Sequence, residues 1–219
     1  MMRPMPRTLA FRLSRRLAPA AFAVVSILAL GGTVASAETL ALDPNHSHVG
    51  FSIRHFFTQV KGEFKTVSGT IDVDPKNLDA AKVNVAIDPA SINTNNDKRD
   101  NHLRSADFFD VTKFPAMTFV ATSVKITDPK AYTGTLTGDL TMHGVTKPVT
   151  LTVDNFTAPV KDGYGRTIRG VSATGKINRK DYGLTWNKAL EAGGVAVGED
   201  VELQLDVELV QHQSKTAQN

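Results

Sequence analysis

From Val49 to Leu209 apolar and polar residues alternate in short runs, the two-residue period of strands whose side chains point by turns to opposite faces. Val49, Phe51 and Ile53 share one face against Ser52 and Arg54. Val67, Gly69, Ile71 and Val73 repeat the pattern until Asp74-Pro75 stops it. Val60, Gly62 and Phe64 also alternate but fall out of phase with Val67, which predicts one long strand bent by a bulge near Lys65 and Thr66. Leu78 to Ile87 follows, with Ala81, Val83, Val85 and Ile87 inward. After Phe114-Pro115, Met117, Phe119 and Ala121 alternate through to Asp128-Pro129, and Tyr132 to Met142 sets Leu136, Gly138, Leu140 and Met142 opposite Thr135, Thr137, Asp139 and Thr141. His143-Gly144 makes a turn, Val149, Leu151 and Val153 carry the next strand, and Asp162-Gly163-Tyr164-Gly165 turns the chain again. Ile168 to Asn178 places Val171, Ala173, Gly175 and Ile177 inward. The final strand is the cleanest, with Val201, Leu203, Leu205, Val207 and Leu209 opposite Glu202, Gln204, Asp206 and Glu208.

The alternation fails once, between Thr94 and Phe109, where the residues read as a helix. Asn95 or Asn96 suits the N-cap, Asp97 and Asp100 lie where the helix dipole favours acids, and Asp100 precedes Arg104 by four residues. Leu103, Ala106 and Phe108 or Phe109 fall on one face, so this amphipathic helix is expected to cap a hydrophobic surface as a plug or a lid.

About eight one-sided strands joined by short turns imply an all-β, antiparallel sheet, and closure into a barrel removes its exposed edges. A two-sheet sandwich fits the alternation as well. A hollow barrel is favoured by the inward small residues Gly62, Gly69, Ala81, Gly138, Ala173 and Gly175, which are expected to leave room for one small ligand.

The first 37 residues read as a secretory signal peptide: Arg3, Arg7, Arg12, Arg15 and Arg16 precede an acid-free apolar run from Leu17 to Leu30, and Ala35-Ser36-Ala37 suits cleavage before Glu38. Pro19, Ser26 and Gly31-Gly32 interrupt that run, whereas a membrane span needs about 20 apolar residues. Arg15-Arg16 hints at twin-arginine export, but the residues after it match poorly and general secretion is the expectation. Without those five arginines, twenty basic residues face 22 acidic ones, a net charge of about −2, so the basic balance of the whole chain belongs to the leader. No basic stripe for nucleic acid remains. The chain has no cysteine, so an exported domain spanning 38–211 must rely on burial, and the polar stretch 212–219 reads as a frayed tail. These features place the protein in the periplasm, without stable membrane insertion, and leave monomer and homodimer both open.

Histidines and serines supply the candidate chemistry. His46 and His48 are spaced to point to one side of a strand, with His55, His102 or His143 as a distant third metal ligand, yet no acid-rich cluster accompanies them and hydrogen bonds at strand ends are the plainer role. Asp100 and His102 with Ser91, Ser105 or Ser123 would make a triad on paper, but no serine has the glycines of a nucleophile elbow. No catalytic residue, cofactor or metal is expected.

A family resemblance rests on Ser47-His48-Val49-Gly50-Phe51, Gly62-Glu63-Phe64, Ser91-Ile92-Asn93-Thr94, Arg99-Asp100-Asn101-His102-Leu103, Phe108-Phe109-Asp110, Phe114-Pro115, Gly138-Asp139-Leu140-Thr141, Gly144-Val145-Thr146-Lys147-Pro148 and Asn178-Arg179-Lys180-Asp181-Tyr182-Gly183. In this order the series resembles the YceI-like polyisoprenoid-binding family across nearly all of the chain after the leader. The resemblance implies a periplasmic, lipocalin-like antiparallel β-barrel that holds an isoprenoid or other long-chain lipid, such as a polyprenyl phosphate, a quinone or a fatty-acid derivative. On that reading Phe51, Ile53, Phe64, Leu103, Phe108, Phe119, Leu140 and Trp186 are the ligand-binding candidates, and Arg99 and Arg104 are candidates for a headgroup. Trp186, the single tryptophan, lies in the long Gly183 to Gly198 connection with Leu184, Leu190 and Val195, and folds over the barrel mouth or anchors the loop.

Overall fold

The computed structural model describes residues 38–189 and 196–211. The expected signal peptide, the polar tail, Leu190 and Val195 lie outside the described residues. Among the described residues twelve strands, β1 (Glu38–Leu42), β2 (His48–His55), β3 (Thr58–Phe64), β4 (Val67–Asp74), β5 (Asn77–Ile87), β6 (Ile92–Asn93), β7 (Met117–Asp128), β8 (Thr133–Met142), β9 (Val145–Phe156), β10 (Val160–Lys161), β11 (Thr167–Asn178) and β12 (Val197–Gln211), are joined by turns, two short 3-10 helices and one α-helix, α1 (Asp97–Arg104). They pair in the order β10-β11-β9-β8-β7-β5-β4-β1-β12-β2-β3-β6, and an additional β11–β12 pairing closes eight of them into a ring. The closed antiparallel barrel thus takes precedence over the sandwich.

β12 is long enough to serve two partners along one edge: Val201 to Asp206 pair with β2, and Leu209 to Gln211 pair with β1. This splits the expected long bent strand. Its halves, β3 and β4, part at Lys65 and Thr66 rather than continuing through a bulge, because β3 pairs with β2 and β6 whereas β4 pairs with β1 and β5. Turn chemistry fixes the other joints: His143 and Gly144 both take positive φ, 52° and 77°, as a two-residue hairpin requires, and the Asp162 carboxylate accepts the amides of Tyr164 (2.9 Å) and Arg166 (2.8 Å).

Three apolar clusters follow one another along the interior. Leu40, Val73 and Leu209 fill one end, Phe119, Val149, Leu151 and Ala173 the middle, and Phe108, Met117, Met142, Tyr182 and Leu184 the end beneath α1. At the first end Arg169 and Glu38 share the inward parity of Val171 and Leu40. Arg169 donates to one Glu38 carboxylate oxygen through Nη2 (2.7 Å) and Nε (3.0 Å), to Thr157 O through Nη1 (3.2 Å), and stacks 5.0 Å from the Phe156 ring. A buried ion pair therefore closes that end.

The helix differs from its expected form. Asn96 caps it by accepting the Arg99 amide (3.0 Å), but it ends at Arg104, so Ala106, Phe108 and Phe109 belong to the turns that follow. Its one buried residue is Asp100, which accepts the amide (3.0 Å) and hydroxyl of Thr94 rather than pairing with Arg104. The helix is polar, and the apolar cap comes from the chain after it.

Candidate functional site

The wall encloses a cavity of about 750 Å³, a size that buries most of a small-molecule ligand. Its surface comes from the inward faces of the strands: Ile71, Val83 and Val85 from β4 and β5, Leu136 and Leu140 from β8, and Val201 through Leu209 from β12 among them. The inward glycines contribute less space than their size suggests. A Cβ on Gly62 would meet the Phe51 ring at 2.5 Å, one on Gly138 the Phe119 ring at 2.5 Å, and one on Gly175 the Leu151 side chain at 2.6 Å. Rings and branched chains lie over the glycines, as aromatic side chains do when they cover glycine in sheets. Ala173, by contrast, lines the cavity itself.

Of the residues singled out from sequence, Phe51, Ile53, Phe64, Leu103, Phe108, Phe119, Leu140 and Trp186 all line the cavity, as does Arg99. Arg104 does not line it: its guanidinium donates to Ala90 O (2.7 Å), Ile92 O (2.8 Å) and the Asn101 side chain (3.0 Å), so it pins the helix to the wall. Arg99 donates to the hydroxyl and carbonyl oxygens of Thr94, both at 2.7 Å, from Nε and Nη2. Trp186 packs against α1: its ring lies 4.9 Å from His102 and 5.1 Å from Phe108, and those two rings are 5.0 Å apart. This aromatic cluster bridges α1 and the 183–189 segment over the cavity.

Arg179, in the Asn178-to-Gly183 motif, is the functional side chain that sequence reasoning misses. The parity that sends Ile177 inward carries on to it, and it lines the cavity while only 3 % exposed. Its guanidinium donates to the carbonyls of Gly198 (2.8 Å), Leu184 and Trp186 (2.9 Å). Nη2 has no partner among the described residues. Burial pulls its pKa down from the ordinary arginine value, because a low-dielectric setting penalises the charged form. Burial likewise pushes the neighbouring Tyr182 hydroxyl up to about 12.

The histidines separate. His46 precedes β2 and sits with Asp43 (3.1 Å) and Glu208 (3.6 Å), whereas His48 turns to Glu63 (3.0 Å), so the expected pair on one strand side does not form. The hydrogen bond between His46 and Asp43 lowers the Asp43 pKa and raises that of His46. The paper triad is not assembled either: Asp100 is engaged by Thr94, His102 Nε2 meets Asp107 at 2.9 Å, and Ser105 Oγ donates to the His102 carbonyl.

The YceI-like domain model matches residues 40–209, and the chain belongs to the YceI-like family. Protein YceI of Salmonella arizonae is 39% identical over 192 residues, covering 87% of this chain and 95% of that protein. The crystal structure of the Campylobacter jejuni YCEI protein is similar at 35% identity and a TM-score of 0.61, covering 73% of this chain and 90% of that one. A polyisoprenoid binding domain from Saccharophagus degradans, implicated in plant cell wall breakdown, superposes with a TM-score of 0.55 over 81% of this chain and 100% of that domain, and at 18% identity it speaks to the fold.

Proposed function

We propose that this protein is a periplasmic carrier that holds an isoprenoid or similar long-chain lipid inside its barrel. The observation that carries the reading is the cavity: about 750 Å³ lined chiefly by Leu, Ile, Val, Phe and Met. An apolar chain gains about 0.8 kcal/mol of gross transfer free energy per buried CH₂, reduced by the entropy of ordering the tail. The Saccharophagus domain, which shares the fold, is described as polyisoprenoid binding. The basic, acid-free leader ending in Ala35-Ser36-Ala37 supports export. A soluble carrier would shield such a tail from water between membranes.

The test is an organic extract of protein purified from the periplasmic fraction, read by mass spectrometry together with the N-terminal sequence. A stoichiometric long-chain lipid on a protein beginning at Glu38 is expected. Protein free of lipid after mild purification, and unable to take one up, would overturn the carrier reading. A retained leader would overturn its location.

A further inference from the structure

The charges that line the cavity are all of one sign. Lys98, Arg99 and Arg179 are among its lining residues, and among the described residues no aspartate or glutamate is. Among the described residues, two of these cations are answered by no anion, direct or relayed. Lys98 forms no salt bridge among the described residues. Arg179 is the more telling case, since it is buried. Three carbonyl oxygens satisfy part of its guanidinium, but carbonyls bring no net charge. Among the described residues its Nη2 has no acceptor, and the nearby Glu199 carboxylate is taken by Lys180 outside the cavity. Buried charges are ordinarily paired, and one left alone is costly. Arg99 is partly answered, through Thr94, by Asp100.

We propose that the cavity takes an amphiphile with an anionic headgroup, a phosphate ester or a carboxylate on a long apolar tail, and that Arg179 is the buried counter-charge that selects it. The inference rests on the carrier reading above. Lys98, Arg99, Arg179 and Trp186 gather where α1 meets the 183–189 segment, so the head lies at that end. The tail runs toward Val207 and Leu209, where the interior is apolar up to the Arg169–Glu38 pair. A charge-assisted hydrogen bond to a group already desolvated favours the anionic head over a neutral one by about ten- to a hundredfold in Kd.

The single tryptophan supplies the assay, because Trp186 lines the cavity and its carbonyl holds Arg179. Fluorescence titrations of delipidated mature protein would use geranylgeranyl phosphate, geranylgeraniol and inorganic phosphate. The phosphate ester is expected to bind at least about tenfold tighter than the alcohol, with no response to inorganic phosphate at comparable concentrations. Arg179→Gln should bring ester and alcohol to similar affinity, because the ester loses more than the alcohol does. If that variant does not fold, Lys98→Gln on α1 decides, since it should narrow the ratio of ester to alcohol affinity. Equal affinity of ester and alcohol in the parent protein, or a ratio untouched in every folded variant, overturns the headgroup inference and leaves the carrier reading standing. Inorganic phosphate binding as tightly as the ester also overturns it, by assigning Arg179 to a small-anion site independent of the tail. Failure of both lipids to bind defeats the carrier reading and this inference with it.

Discussion

Replacing Ala173 by phenylalanine tests whether the interior is occupied by ligand. Ala173 is 4 % exposed, stands mid-strand on β11 opposite Leu205 of β12 and Val153 of β9, and lines the cavity. A benzyl group there projects inward and takes the place of roughly one five-carbon isoprene unit, a gross loss of about 4 kcal/mol at 0.8 kcal/mol per CH₂. Leaving that unit unordered returns about 0.5–1.5 kcal/mol, so a weakening of Kd of roughly a hundredfold is expected. Overpacking costs about 1–3 kcal/mol of stability, a fall in Tm of about 2–4 °C per kcal/mol for a domain of this size. Trp186 fluorescence with geranylgeraniol reads binding independently of any headgroup, and circular dichroism reads the fold. A folded Ala173→Phe protein that binds as tightly as the parent would place the ligand elsewhere. Gly138→Phe is no substitute, because its Cβ would press on Val120 O at 2.6 Å as well as on the Phe119 ring, and its expected outcome is misfolding.

Glu38→Ala should cost about 3 kcal/mol in urea unfolding, the low end for orphaning a buried charge, since Thr157 O and the Phe156 ring still hold Arg169. Glu199→Ala, which breaks the half-exposed pair with Lys180, should stay within about 1 kcal/mol, and equal losses would contradict the burial argument. Leu209→Ala should cost about 2–5 kcal/mol as the loss of a buried side chain, whereas Glu202→Ala on the outer face should stay within about 0.5 kcal/mol. NMR titration should find His46 above the ordinary histidine value because the Asp43 carboxylate faces it, and Asp43→Asn should bring it back. His46 is raised, so its contribution is complete below its unfolded pKa of about 6.5 and is lost as pH rises through the folded value; Asp43 is depressed, so its contribution is present above about 3.9 and is lost as pH falls through its folded value. The pair therefore supports the fold most between those limits, and a loop-to-β12 tie that strengthened above neutral pH would refute the assignment.

Strand positions and turns were legible because each one-sided strand writes its burial as a two-residue period, and Asp-Pro, His-Gly and Asp-Gly pairs punctuate it. Pairing was not. The break between β3 and β4 arises because β12 carries β1 and β2 on the same edge, a long-range fact with no local signature. The short β1 adjoins the expected cleavage site and holds only three apolar residues, Leu40, Ala41 and Leu42, too few to establish a period. Parity marks which strand residues face inward, but not what charged groups do: Arg104 is a wall clamp, while Arg179, on the inward parity of β11, is the buried cation. Parity says which way a side chain points, and partners at distant positions decide what it does there.

The two ends of the barrel are held by different physics, and this decides where a ligand enters. Opening the end beneath Leu40, Val73 and Leu209 would expose side chains at most 2% accessible, each with about 1.5–3 kcal/mol of burial, and would separate Arg169 from Glu38 at a further cost of about 3–5 kcal/mol. Apart from Leu103 and the His102 ring, which pack at that end, α1 is fastened by hydrogen bonds, from Thr94 to Asp100, from Arg99 to Thr94 and from Arg104 to Ala90 and Ile92. Each such bond contributes about 0.5–3 kcal/mol net and is exchanged for water on opening. The polar helix can therefore lift without exposing a large apolar face of its own, and the α1 end is the expected entrance. Native-state hydrogen exchange measures the difference directly: amides of α1 should exchange through a local opening of lower free energy than those of Leu209 and Arg169. Protection in α1 equal to that of β11 and β12 would mean that the helix is fixed to the barrel and the lipid enters elsewhere.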